Sequence, residues 1–137
     1  MPDHQRSTIR IVAIRQPYAQ FEQRAWHPPF NIYESDQGIQ IVVELAGVTL
    51  DELHVYVHPN SVQIQGTRHM LPPPGLRRVL RMEIVSGPFL VELPLTSAVD
   101  PERAEAQYTN GLLDLRLPFA DQPLQRVVVI QLGEGRR

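Results

Sequence analysis

The chain contains no cysteine and no lysine, so all 13 of its lysine-or-arginine cations are arginine. Without cysteine there is no disulfide scaffold, thiolate metal site or cysteine nucleophile. Without lysine there is no Schiff-base chemistry and no P-loop amine. Charge of one sign is also lacking: the formal net charge is −2 over 137 residues, which gives no reason to expect an unspecific polyanion binder. No apolar run approaches the ~20 residues a membrane helix needs. The first residues, Met1 to Arg10, are polar and charged, with no signal-peptide core behind them. The expectation is a cytoplasmic chain with no membrane partner. Glycine is sparse as well, eight residues scattered as turn formers, and none makes a phosphate-cradling loop.

Proline is in excess. Its 13 residues are about twice the usual ~5%. Most fall between apolar stretches, as at Pro28-Pro29, Pro59, Pro72-Pro73-Pro74, Pro88, Pro94, Pro101, Pro118 and Pro123. Those stretches read as strands. Ile39, Ile41, Val43 and Leu45 alternate with Gln40, Val42 and Glu44, the period-two pattern of a sheet with one buried face. Leu53, Val55 and Val57 alternate with His54, Tyr56 and His58. Pro59-Asn60-Ser61 is a turn before Val62 and Ile64. Phe89, Val91 and Leu93 alternate across Leu90 and Glu92, and Pro94 lacks a ladder donor, which sends the end of that strand to an edge or bulge. Ala104, Ala106 and Tyr108 lead into Asn110-Gly111, a hairpin signal because both positions tolerate positive φ. Leu113, Leu115 and Leu117 form the return strand. Asp100-Pro101-Glu102-Arg103 predicts a single helical turn, capped by Asp100. Six or more short strands with polar turns predict an all-β, immunoglobulin-like antiparallel sandwich.

Three segments fall outside the alternation. The first 25 residues carry Ile9, Ile11, Val12, Ile14, Tyr18 and Phe21, and strand and helix both fit. Residues 66–81 form a long loop with Arg77, Arg78 and Arg81, of a length that is usually functional or disordered. The tail is polar until Val127-Val128-Val129-Ile130-Gln131-Leu132. By periodicity alone, residues 127–132 fit a last strand of the same sheet or a segment that docks elsewhere.

Catalytic chemistry finds little support. His54 and His58 share a strand face but lie about 13 Å apart at ~3.3 Å per residue, too far to chelate one ion. His4, His27 and His69 have no ligand spacing. Ser61, Ser86 and Ser97 lack a nucleophile-elbow context. Glu34-Ser35-Asp36 reads as a turn. The expectation is no enzyme, metal or cofactor.

The segment from about Pro28 to Pro118 resembles the α-crystallin domain of small heat-shock proteins of bacterial and archaeal type. Ala106-Gln107-Tyr108-Thr109-Asn110-Gly111-Leu112-Leu113 is similar to the family's A-x-x-x-N-G-x-L signature. Pro29-Phe30-Asn31-Ile32-Tyr33-Glu34 resembles its first domain strand. Leu45-Ala46-Gly47-Val48 with Asp51-Glu52-Leu53 resembles L-P-G-V…E-D-I, with Ala46 in place of proline. Ile64-Gln65-Gly66-Thr67-Arg68 resembles I-x-G-x-R. Arg81-Met82-Glu83 with Gly87-Pro88-Phe89 resembles R-x-E…G-x-F, with Val91 replacing a common arginine. The tail offers Val128-x-Ile130 or Ile130-x-Leu132 in place of a clean I-x-I.

The resemblance implies an N-terminal arm (1–27), an α-crystallin domain (28–118) and a C-terminal extension (119–137). It implies an ATP-independent holdase that binds partly unfolded clients and passes them to ATP-driven chaperones, working as a homodimer that assembles further. Val128, Ile130 and Leu132 would dock in a groove lined by Val55, Val57, Ala106 and Tyr108. Arg78, Val79, Leu80, Arg81 and Glu83 would form a swapped strand against the partner's Phe30 and Ile32; the alternative is a solvated arginine loop. Ile9, Ile11, Val12, Ile14, Phe21 and Trp26 would bind clients or pack on their own sandwich, and Ile9-x-Ile11 and Val12-x-Ile14 would compete with the tail for the groove. The other readings are a CS-domain-like adaptor that binds one folded partner, and an RNA-binding β domain using Arg77, Arg78 and Arg81. The second lacks interleaved exposed aromatics, so no nucleic-acid partner is expected.

Overall fold

The computed structural model describes residues 11–12 and 26–121. Among these residues there are eight strands: β1 (Ile11–Val12), β2 (Phe30–Glu34), β3 (Gly38–Glu44), β4 (His54–His58), β5 (Ser61–Arg68), β6 (Gly87–Pro94), β7 (Glu105–Thr109) and β8 (Leu112–Pro118). They form two four-stranded sheets, ordered β1-β4-β5-β6 and β2-β3-β8-β7. Every pairing is antiparallel except β1 with β4. No described helix is long and apolar enough to cross a membrane.

Alternation builds the core directly. Cross-strand partners share a face, and β3 pairs with β8 so that Ile41 meets Leu115 and Val43 meets Leu113. In the other sheet Val55 meets Ile64 and Val57 meets Val62, while Ile64 also meets Val91. All of these side chains are buried and belong to one apolar cluster that Phe89, Leu93, Leu45 and Val99 complete. Each such side chain contributes about 1.5–3 kcal/mol by leaving water.

The turns follow from local chemistry. Asn110 has φ 53° and Gly111 φ 81°, the left-handed pair a two-residue hairpin needs. The amide of Leu45 donates to the Gly111 carbonyl at 2.7 Å, which ties this turn to the end of β3. A 3-10 turn spans Pro101–Arg103, and the Asp100 carboxylate accepts from the Glu102 amide. Pro94 is the last residue of β6, which is an edge strand. A second 3-10 turn at Leu50–Glu52 has no counterpart in the sequence reading.

The sandwich reaches slightly beyond the segment expected for it. Trp26 bridges to Phe89 and Phe119 bridges to Val99, and both rings pack on the core. The face of β4, β5 and β6 turned away from the core is also less open than alternation implies: Tyr56, Gln63 and Leu90 are buried there.

Gly66 on β5 leaves no room for a side chain. A Cβ there would lie 2.7 Å from the Phe89 ring and 3.0 Å from the Glu52 carbonyl oxygen. Gly66→Ala should therefore lower stability by about 1–3 kcal/mol, read from urea unfolding midpoints. Adding Phe89→Leu, which trims the clashing ring, should make the alanine cost smaller than in the parent background.

Candidate functional site

The strands β4, β7 and β2 carry the described strand residues that sequence reasoning singled out, β7 and β2 at opposite edges of one sheet and β4 in the other. The first edge is that of β4. Val55 and Val57 are fully buried, so they form the floor beneath that edge rather than an open wall. Ala106 and Tyr108 lie opposite Leu115 and Leu113 on β7, half-buried against the same core. The Tyr108 hydroxyl donates to the Leu45 carbonyl at 2.7 Å. Burial pushes its ionisation above the usual tyrosine range, helped by the nearby Glu44 carboxylate and opposed by a Val48 backbone hydrogen bond and by Arg68.

The β4 edge is not bare. Ile11 pairs with Val55 and Val12 with Tyr56, in parallel. An apolar pair from the arm thus adds itself as a short strand to the edge. Ile9, Ile14, Tyr18, Phe21 and the tail residues Val128, Ile130 and Leu132 lie outside the described residues. Trp26, grouped with the arm by position, is instead seated on the sandwich: its indole N–H donates to the Gly87 carbonyl at 3.1 Å, and its ring meets Phe89 edge-on at 5.7 Å.

The second edge is β2. All five of its residues are exposed. Phe30 and Ile32 lie opposite Val43 and Ile41, on the inner face, yet are 41% and 44% exposed. The inner face of β2 therefore extends past the facing sheet. Between β5 and β6 runs the loop 69–86, without strand or helix and exposed throughout. It carries Arg78, Val79, Leu80, Arg81 and Glu83, with Arg81 and Glu83 ion-paired. Leu80, Met82 and Ile84 are 83%, 75% and 61% exposed. Their period-two spacing extends the apolar run beyond the residues named from sequence. The signal was present in Leu80-x-Met82-x-Ile84 but was hidden by the interleaved charges of Arg81 and Glu83.

Among the described residues, no group of three or more histidine, aspartate or glutamate side chains could hold a metal ion. His54 stacks on Tyr56 at 6.2 Å, and His69 pairs with Glu52 at 2.6 Å. These contacts give both rings a structural setting.

A family model described as "Hsp20/alpha crystallin family" matches residues 31–131. The chain belongs to the Hsp20/alpha crystallin family. The family gives it a chaperone role in the general sense. It is 32% identical to "18 kDa antigen 1" of Mycobacterium intracellulare over 101 residues, 72% of this chain and 66% of that protein. It is 30% identical to "18 kDa heat shock protein" of Streptomyces albus G over 112 residues, 80% of this chain and 76% of that one. Among solved structures, heat shock protein 16.0 from Schizosaccharomyces pombe superposes with a TM-score of 0.62 at 25% identity, covering 69% of this chain and 88% of that chain.

Tyr108 gives a pH test of this edge. A phenol that ionises later in the folded state adds stability that is fully present below pH ~10 and is lost as pH rises through its raised folded value. Tyr108→Phe should cost about 0.5–1.5 kcal/mol at neutral pH, through the lost hydrogen bond. The variant should also show a shallower alkaline decline in stability than the parent, followed by urea unfolding at stepped pH.

Proposed function

We propose that this chain is an ATP-independent holdase: it captures extended apolar segments of partly unfolded proteins and keeps them from aggregating. The observation that carries the reading is the β4 edge, where an apolar arm segment is added as a strand, Ile11 beside Val55 and Val12 beside Tyr56 among the described residues. Strand addition supplies affinity through backbone hydrogen bonds that any sequence can make, and specificity through alternating side chains. Each net backbone bond contributes about 0.5–1.5 kcal/mol, so an attachment made of a few such bonds would be weak and exchangeable. A client strand, the arm and the tail residues Val128, Ile130 and Leu132 would then share one edge by competition, with Val55, Val57, Ala106 and Tyr108 beneath and beside it. Ile9, Ile14, Phe21 and the seated Trp26 complete the arm's apolar side in this reading.

Assembly follows from the other edge. An edge strand such as β2, with no strand on its outer side among the described residues, is an aggregation liability unless it is covered. The loop residues Arg78, Val79, Leu80, Arg81 and Glu83 of a second copy would pair against Phe30 and Ile32 and make a homodimer. Dimers would assemble further through the tail and hand clients to ATP-driven chaperones. The division into arm (1–27), α-crystallin domain (28–118) and extension (119–137) belongs to the same reading, with Trp26 and Phe119 packed on the core from just outside the domain, as does a cytoplasmic location.

Two measurements test it. A chain lacking residues 1–25 should lose several-fold of its capacity to suppress thermal aggregation of a denaturing enzyme in the absence of nucleotide, with its β-sheet circular dichroism retained. Equal suppression by both chains would remove the arm from the mechanism, and a requirement for ATP would reject the holdase. Val79→Pro should shift the native mass toward monomer, because proline deletes a ladder donor; an unchanged mass counts against the exchanged strand.

A further inference from the structure

Arg68 ends β5 and is one of two polar or charged residues buried among those described, at 7% exposure. Its surroundings are drawn from three separate parts of the chain. Its Nε donates to the Val85 carbonyl at 3.0 Å, at the far end of the 69–86 loop. Its Nη1 donates to the Ala46 carbonyl at 3.2 Å and lies 3.9 Å from a Glu44 carboxylate oxygen. The other Glu44 oxygen accepts from the Ala46 amide at 2.9 Å. The guanidinium carbon sits 4.2 Å from the centre of the Trp26 ring.

Trp26 is held to the same place from its other side. Its amide donates to the Pro88 carbonyl at 3.2 Å and its carbonyl accepts from the Leu90 amide at 3.3 Å. Its indole N–H reaches Gly87, the β6 residue that pairs with Arg68. The neck of the loop and the point where the arm meets the sandwich are therefore a single cluster, with one planar cation at its centre. A guanidinium can give two divergent N–H groups to carbonyls while its face stacks on an indole; an ammonium cannot do both.

We propose that Arg68 is a positioning residue that couples the loop to Trp26, so that release of the loop and loosening of the arm's seat are one event. The inference rests on the reading that the loop is exchanged between subunits. It adds that departure of a partner would be felt at Trp26. Coupling of this kind is reciprocal: freeing the loop must loosen Trp26, and disturbing Trp26 must loosen the loop.

The chain provides both reporters. Trp26 is its only tryptophan, so acrylamide quenching of intrinsic fluorescence reads that side alone. With no lysine, trypsin cuts only at arginine, and Arg77, Arg78 and Arg81 read the loop. Arg103 and Arg116 in the sandwich report general unfolding. In the full chain, Arg68→Lys should raise both the Trp26 quenching constant and the loop cleavage rate about three-fold or more, with cleavage at Arg103 and Arg116 unchanged. Trp26→Phe, which keeps a ring on Phe89, should raise loop cleavage by a similar factor. Val79→Pro, remote from the cluster in sequence, should raise Trp26 quenching.

Movement of only one reporter in Arg68→Lys overturns the coupling, as does parallel cleavage at Arg103 and Arg116, which would mean a merely structural loss. Should Arg68→Lys fail to fold, unaltered loop cleavage in Trp26→Phe overturns it alone. If Val79→Pro leaves the native mass unaltered, the exchanged-strand reading fails, while the Arg68 and Trp26 comparisons still decide whether loop and Trp26 are coupled.

Discussion

Backbone amides and carbonyls need partners, and a sandwich of two open sheets leaves four strand edges where that need is unmet. Packing alone settles the interior: buried residues of β3, β8, β4, β5 and β6 interdigitate in one cluster. The edges are settled one at a time. The β4 edge receives β1, and the β6 edge receives Trp26 and closes on Pro94. The β7 edge lies beside the Tyr108 hydroxyl bond to Leu45. The β2 edge is exposed along its whole length, and among the described residues no strand pairs with its outer side. On the proposed function, what the protein does with other chains would be set by which of these edges are filled and how firmly.

That arrangement separates two kinds of chemistry. Long antiparallel pairings such as β5 with β6 extend from Arg68↔Gly87 to Ser61↔Pro94 and make a frame that single exchanges cannot disturb. Among the described residues the β1 pairing spans two residues, and a pairing of that length belongs to the weak end of the stability range, where local opening is cheap. Strong and weak strand pairing thus coexist in one sheet, separated by a single strand.

Much of the frame was legible in the sequence. Period-two alternation located Ile39–Leu45 and Leu113–Leu117 because one face is buried and the other wet. Asn110-Gly111 located its hairpin because few residue pairs accept positive φ in succession. Asp100-Pro101 located a capped turn for similarly local reasons. The readings that ran short depended on long-range contact. Tyr56, Gln63 and Leu90 alternate correctly yet are buried on the outward face, where periodicity assigns solvent. Arg68 looks like any strand-end cation until Ala46, Val85 and Trp26 arrive around it. Trp26 read as arm because nothing local says that a residue before a double proline will lie against β6.

The bare β2 strand has a consequence for the free subunit. In a single copy the described residues leave the outer side of β2 without a strand partner, with Phe30 and Ile32 about two-fifths exposed and Leu80, Met82 and Ile84 of the loop largely exposed. These are the features by which a damaged protein betrays itself. On the proposed function, a lone subunit would share these features with the clients it holds, and a second copy would cover them. Its persistence is then governed by mass action: dilution makes it needy, and abundance makes it self-sufficient.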